Sequence, residues 1–267
     1  MMQQIIADLG TECQELTDLL AGLPAADWGK ATVFFDWTVA DAVMHLHLCD
    51  DLGLVSLARP ADFAGRLAEI RADQARGIEL SQRMRAQYGH LGPHALFSAW
   101  TARWQQLCAI FETRAAEDRI PWFGPDMSVA SFAAARQMEV WAHGQDVYDL
   151  LRLRRANSDR IRSICDLGVR TQGWSFRNRG LEKPAPTTVA LTAPSGAVWT
   201  WSEGAAESIS GPAEDFALVV TQRRHVSDTA LVVTGEAAQA WMEIAQCFAG
   251  EAETGPAPGV RRVDYLA

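Results

Sequence analysis

Glu139 and His143 stand four residues apart in the run Arg136-Gln137-Met138-Glu139-Val140-Trp141-Ala142-His143-Gly144-Gln145-Asp146. On a helix, that spacing stacks a carboxylate and an imidazole on one face. Phe132, Arg136 and Val147 fall near the same stripe. Such a pair on the inward face of a bundle helix suits a divalent metal, because bundles build metal sites from side chains on facing helices. A second source of imidazole lies upstream, in Met44-His45-Leu46-His47. Positions i and i+2 of a helix point about 200° apart, so these two histidines cannot both face the core. Val39, Ala42 and Leu46 or Val43 flank His45 on the inner side, but Leu46 and His45 are adjacent in angle, so periodicity leaves the choice between His45 and His47 open. One of them, with Glu139 and His143, makes a His2Glu set with an open position, as in catalytic zinc sites.

The same residues carry plainer readings. A Glu/His pair at i, i+4 is common by chance, and a motif of two residues is weak evidence. Glu139 can pair instead with Arg136 on a solvated face. His45 can be a satisfied core histidine. Asp146, three residues after His143, is either an acceptor behind an imidazole N–H or a surface acid.

These side chains need helices to hold them. Residues 3–23 carry Ile5, Ile6, Leu9, Cys13, Leu16, Leu19 and Leu20 at helical spacing, with Gly22 and Pro24 closing the segment. Thr38 with Asp41 three residues on resembles a capping box, opening a helix to about residue 57. Residues 61–87 look helical, with a mixed pattern. Gly89, Gly92 and Pro93 break the chain before a helix over residues 94–116, with Leu96, Trp100, Trp104, Leu107 and Phe111 on one face. Ser128 caps a long helix over residues 129–152. A bridging helix spans residues 158–173, and residues 177–186 read as a linker.

The texture then changes. Residues 188–192 and 198–201 read as a hairpin around Ala193-Pro194-Ser195-Gly196. Residues 208–210 and 229–234 suit strands, 212–222 and 235–248 suit helices, and the Gly/Pro/Glu-rich tail 251–260 reads as loose. The expected organisation is a helical domain over residues 1–155, a bridging helix and linker over 156–186, and a small α+β domain over 187–267.

Composition narrows the class. The chain has 267 residues and a net charge of −9, from 24 Lys+Arg against 33 Asp+Glu. That balance repels phosphate backbones, so nucleic acid is not an expected partner. Five cysteines stand singly, without a CxxC pair, which fits buried free thiols and not a thiolate zinc site. No apolar run approaches the ~18 residues of a membrane span, and the N-terminal segment carries acids where a signal peptide carries bases. A cytoplasmic protein with no membrane partner is the expectation.

Trp37-Thr38-Val39-Ala40-Asp41-Ala42-Val43-Met44-His45-Leu46 resembles the helix start of the DinB-like bundle superfamily, and more closely that of mycothiol-dependent maleylpyruvate isomerases. Glu139-x-x-x-His143-x-x-Asp146 resembles the second metal helix of that group. The resemblance implies an α plus α+β fold, with a DinB-like up-and-down four-helix bundle followed by a small α+β domain. It selects His45 over His47 and makes His45, Glu139 and His143 the metal ligands. Zinc is the family's usual metal, and other divalent ions can take the same site. The stretches 193–199, 216–225 and 240–250 are similar to an uncharacterised branch that joins this bundle to a wyosine-base-formation-like domain.

In the isomerases, a metal-held cofactor thiol adds to a cis double bond, and elimination gives the trans isomer. Related bundles transfer thiols to electrophiles. The resemblance therefore implies a thiol-dependent isomerase or S-transferase, with a low-molecular-weight thiol such as mycothiol or glutathione and a small-molecule substrate as partners. Arg223 and Arg224 are the candidates for binding anionic ends, or else a surface pair, and His225 is a candidate acid/base. A cleft shared by the bundle and the α+β unit is expected, since ligand sites favour domain interfaces. Alternatives are a hydrolase using a metal-bound water, a metal-binding protein without catalysis, and a tRNA-modifying role, which the acidic charge opposes.

Overall fold

The computed structural model describes residues 2–266. The chain divides into two compact units, the division falling between Val147 and Tyr148.

The first unit is helical. Its four long helices are α1 (Met2–Ala21), α2 (Val39–Ala58), α5 (Pro93–Phe111) and α6 (Val129–Leu151), the last running past the division. Two shorter ones, α3 (Pro60–Ala75) and α4 (Leu80–Tyr88), divide the ambiguous segment between them. Pro60 starts α3, where its missing N–H costs nothing. A short hairpin, β1 (Arg119–Ile120) with β2 (Met127–Ser128), leads into α6. Ser128 Oγ accepts from Ser131 N at 3.1 Å, as a cap should.

Helix α2 is the centre of this unit. It is buried on almost every face, from Val39 through Leu57, and packs against α3, α4 and α5. Phe132 of α6 lies so close to the α2 backbone that a Cβ on Gly53 would stand 2.7 Å from its ring. Only glycine permits that approach. Val39, Leu46, Trp100, Phe111 and Trp141 are essentially sealed from solvent, each contributing roughly 2–3 kcal/mol of burial.

The second unit carries a four-stranded sheet in the order β4-β3-β5-β6: β3 (Thr188–Thr192), β4 (Val198–Trp201), β5 (Ser208–Pro212) and β6 (Val232–Thr234). β3 pairs antiparallel with β4 and parallel with β5, and β5 pairs antiparallel with β6. Val189, Leu191, Trp199 and Ile209 are buried, and α9 (Ala213–Val220) packs on β3 and β5. Helices α7 (Arg162–Arg170), α8 (Gln172–Arg177) and α10 (Glu236–Ile244) complete it.

Several boundaries differ from expectation for local reasons. The helix expected over 158–173 is a 3-10 turn and two short helices. It breaks at Thr171, whose hydroxyl bonds back to Leu167 O and Gly168 O at 2.8 and 3.0 Å. The strand expected over 229–234 is confined to Val232–Thr234. The helix expected to residue 248 ends at Ile244, after which Cys247 N bonds Val220 O. The tail read as loose is tied down. Gln246 Nε2 donates to Glu251 O at 2.9 Å, and Gly259 N donates to Asp228 Oδ2 at 2.7 Å.

Candidate metal centre

Thr38 starts α2. Its Oγ1 accepts from Asp41 N at 3.1 Å, and Asp41 Oδ2 accepts from Thr38 N at 2.9 Å. This reciprocal cap adds about 1 kcal/mol to the helix start. Arg85 of α4 grips Asp41 through two hydrogen bonds, at 2.7 and 2.9 Å. Burial opposes the Asp41 charge, but Arg85 and Thr38 outweigh it and hold the carboxyl below its usual range. His45 lies two turns along this anchored helix.

Glu139 and His143 lie on α6, which faces α2. One carboxylate oxygen, Glu139 Oε2, stands 3.2 Å from His45 Nε2 and 3.6 Å from His143 Nε2. Ligand atoms of the three residues all lie within 4.8 Å of one another. Donors on a tetrahedral cation bound at roughly 2.1 Å sit roughly 3.4 Å apart. The two distances to Glu139 fit that spacing, and the two-imidazole, one-carboxylate chemistry fits zinc. His143 Nδ1 stands 3.2 Å from Asp146 Oδ2. That contact anchors the Nδ1 edge of the ring and turns Nε2 toward the Glu139 carboxylate. Of the two readings of Asp146, the acceptor behind an imidazole is the one found.

Solvent reaches the cluster over Glu139 and His45, whose side chains keep 23 % and 13 % of their exposure, against 4 % for His143. Burial works against the charge on Glu139, but hydrogen bonds from His143 and His45 hold its carboxyl well below the usual range. Burial also disfavours protonated His45. The Cys49 sulfur, 3.8 Å from Nε2, and Glu139 outweigh that and push its pKa up. Without a metal, the cluster thus favours a proton shared at His45.

Two aromatic rings, Phe34 and Trp37, stand at the cluster, on the turn that precedes Thr38. Trp37 N donates to Phe34 O at 2.9 Å, and Thr32 N donates to Trp37 O at 2.8 Å. The two central residues, Phe35 and Asp36, have φ of 49° and 56°. Positive φ at both positions is the signature of a type I′ turn, which favours Asn-Gly. Each such non-glycine residue costs on the order of 1–3 kcal/mol. Trp37 lies parallel to His143, with centroids 5.6 Å apart and planes at 2°, and meets His45 at 5.4 Å. Phe34 meets His143 edge-on at 5.3 Å.

A charged network lies deeper between the same helices. Arg136 Nε donates to Asp50 Oδ1 at 2.9 Å, and Trp100 Nε1 donates to Asp50 Oδ2 at 3.2 Å. Arg136 therefore does not pair with Glu139 on a solvated face; it is 2 % exposed. This network escaped the reading of the sequence. Its signal is that Asp50 continues the buried stripe of Val43 and Leu46 at i+7 and i+4, where an acid needs a partner.

The other residues singled out lie elsewhere. His47 is buried edge-on against Tyr88, with ring centroids 4.9 Å apart. It is neither exposed nor in the donor set. Arg223, Arg224 and His225 belong to the second unit. Gln222, at φ 59°, turns the chain back after α9, so that Arg223 N and Arg224 N both bond Leu218 O. Both arginines are buried, not a surface pair. Arg224 donates to both oxygens of Asp149, at 2.7 and 2.9 Å, and to Tyr265 Oη at 3.0 Å. Arg223 Nη1 donates to Thr221 O at 2.7 Å. His225 Nδ1 accepts from Ser227 N at 3.1 Å, and its Nε2 faces Glu243 at 3.0 Å. Among the described residues, no helix is long and apolar enough to cross a membrane.

Comparison with known proteins bears on this arrangement. Uncharacterized proteins from two strains of Mycobacterium tuberculosis are each 39 % identical over 251 residues, covering 92 % of this chain and 95 % of theirs. The crystal structures of the mycothiol-dependent maleylpyruvate isomerase and of a variant of it superpose with a TM-score of 0.53 at 14 % identity. They cover 82 % of this chain and 88 % of the isomerase, which shows a shared fold. The model of the mycothiol maleylpyruvate isomerase N-terminal domain matches residues 9–148, a span that holds all of the candidate ligands. The chain belongs to the family of that domain.

Proposed function

We propose that this protein binds a divalent cation, zinc foremost, through His45, Glu139 and His143. It would use the cation to activate a low-molecular-weight thiol, such as mycothiol or glutathione, for isomerising a small unsaturated compound or for transfer to an electrophile. The observation that carries the reading is the convergence of two imidazoles and one carboxylate from facing helices, with Asp146 behind His143. Family membership supports the thiol.

A bound divalent cation supplies a localised positive charge and an open position, which together lower the pKa of a thiol docked there. The chain's own residues prepare for this. Asp146 Oδ2 holds the Nδ1 proton of His143. Glu139 Oε2 stands 3.2 Å from His45 Nε2 and 3.6 Å from His143 Nε2, so one carboxylate oxygen serves both imidazoles. Trp37 packs against both imidazoles, and Phe34 against the edge of His143. A hydrolase would need a separate general base, and Asp146, the nearest candidate, is engaged with His143. Roles for Arg223, Arg224 and His225 at the anionic ends of thiol and substrate belong to this proposal too.

The test begins with elemental mass spectrometry of the untagged protein beside His143→Ala. About one ion per chain, lost in the variant, supports the site and leads to screening thiols against cis-unsaturated acids and electrophiles. Absence of metal from both, after zinc has been supplied, refutes the reading.

A further inference from the structure

The turn before α2 does more than connect elements. Phe35 and Asp36 both hold left-handed backbone, a conformation that a bulky residue such as phenylalanine rarely adopts. Strain of this kind persists where the surroundings over-determine it, and it gathers at functional sites. Here its consequence is specific. The tight turn projects Phe34 and Trp37 onto one place, where Phe34 meets Trp37 edge-on at 5.5 Å. Trp37 then touches both imidazoles of the donor set, which come from different helices. The next residue is Thr38, whose cap fixes the start of the helix that carries His45. Turn, ring and ligand therefore form one local unit.

The orientation of His143 follows from this. Its ring is bounded by Asp146 at Nδ1, Glu139 at Nε2, Trp37 across one face and Phe34 at an edge. An imidazole so enclosed keeps its plane, and its Nε2 stays aimed at the point where the donors converge. His45 has fewer restraints: its contact with Cys49 is long, at 3.8 Å, and Trp37 meets it at a tilt of 58°. We propose that Trp37, held by the strained Phe34–Trp37 turn, is a positioning residue for metal capture, fixing the planes of His45 and His143 before the cation arrives. This rests on the metal reading above.

The test uses the full chain, with zinc titrated against a chromophoric chelator and cobalt(II) absorption reporting ligand geometry. Trp37→Leu keeps apolar bulk but removes the flat face. It is expected to bind zinc about tenfold or more weakly, the scale of losses from groups that orient metal ligands, and to shift the cobalt spectrum. Circular dichroism of the metal-free variant should match the wild type. Trp37→Phe, which restores a ring, should recover most of the affinity and the spectrum. A folded Trp37→Leu variant with wild-type affinity, to within about twofold, and an unchanged cobalt spectrum overturns the proposal. Should Trp37→Leu fail to fold, Phe34→Leu, which removes the ring that meets both Trp37 and His143 edge-on, is read against the same two outcomes. Failure of the wild type itself to bind zinc or cobalt refutes the metal reading, a result distinct from an indifferent variant.

Discussion

Asp146 Oδ2 lies 3.2 Å from Nδ1 of His143, one turn of α6 away, with both side chains buried. The contact makes the last residue of the Glu-x-x-x-His-x-x-Asp pattern a partner of the candidate ligand His143. Asp146→Asn can no longer match the Nδ1 proton with a negative charge. It is expected to weaken metal binding about ten- to a hundredfold while leaving the helical circular dichroism intact. Wild-type affinity in that variant would reduce Asp146 to a packing role.

His45 and His47 separate cleanly by experiment. His45→Ala should abolish stoichiometric metal binding. His47→Ala should retain it and instead lose about 1–2 kcal/mol of stability through the cavity left against Tyr88. Binding by the wild type should weaken as pH falls, because the cation competes with protons for the imidazoles and the His45 pKa is raised. Titrations at several pH values, with proton release followed in weakly buffered solution, check both points.

Asp41 links the stability of α2 to pH. Its folded pKa is depressed below the ordinary 3.8, so its contribution is complete above that value and is lost as pH falls through the lower folded value. Asp41→Asn should therefore have a lower denaturant midpoint than wild type at pH about 7, and the gap should close below pH about 4. A gap that does not change with pH would mean that the Arg85 and Thr38 contacts do not depend on the charge.

The Asp50–Arg136 pair tests what a buried charge contributes between α2 and α6. Arg136→Met leaves Asp50 buried without its cation and should cost about 3–5 kcal/mol. The double variant Asp50→Leu, Arg136→Met should recover much of that loss, since apolar side chains often replace a buried pair at little cost. Metal affinity of the double variant then reports whether the pair also sets the register of His45 against Glu139.

Arg224 was singled out for an anionic ligand, and its guanidinium forms a two-pronged pair with Asp149. Arg224→Lys keeps the charge and loses the fork. A structural role predicts a fall in stability of about 2 kcal/mol or more, with metal binding retained. Unchanged stability with a raised KM for an anionic substrate would place the side chain at the ligand.

Much of the architecture was legible in local pattern. The stripe of α1, the Thr38–Asp41 cap, the Pro93 start of α5 and the alternation of β3 and β4 each reflect a rule acting over a few residues. The i, i+4 spacing placed Glu139 and His143 together because one helix suffices to do so. Boundaries went astray where a side chain competed with the backbone, as Thr171 does between α7 and α8.

The choice between His45 and His47 was not legible from periodicity. Helix α2 is buried on nearly every face, so no polar side exists to set its register; the Trp37-to-Leu46 motif made the choice instead. Residue types and spacing carried the candidate metal site, the helix that bears two of its donors, and the resemblance to the family. That His45 meets Glu139 across 94 positions of chain, that the Trp37 ring runs parallel to His143, and that Arg136 turns inward to Asp50 came only from the packing of separate segments. Those contacts depend on how closely two helices approach. That approach is set by a glycine facing a phenylalanine ring and by a buried charge seeking its partner, and no spacing within one segment encodes either.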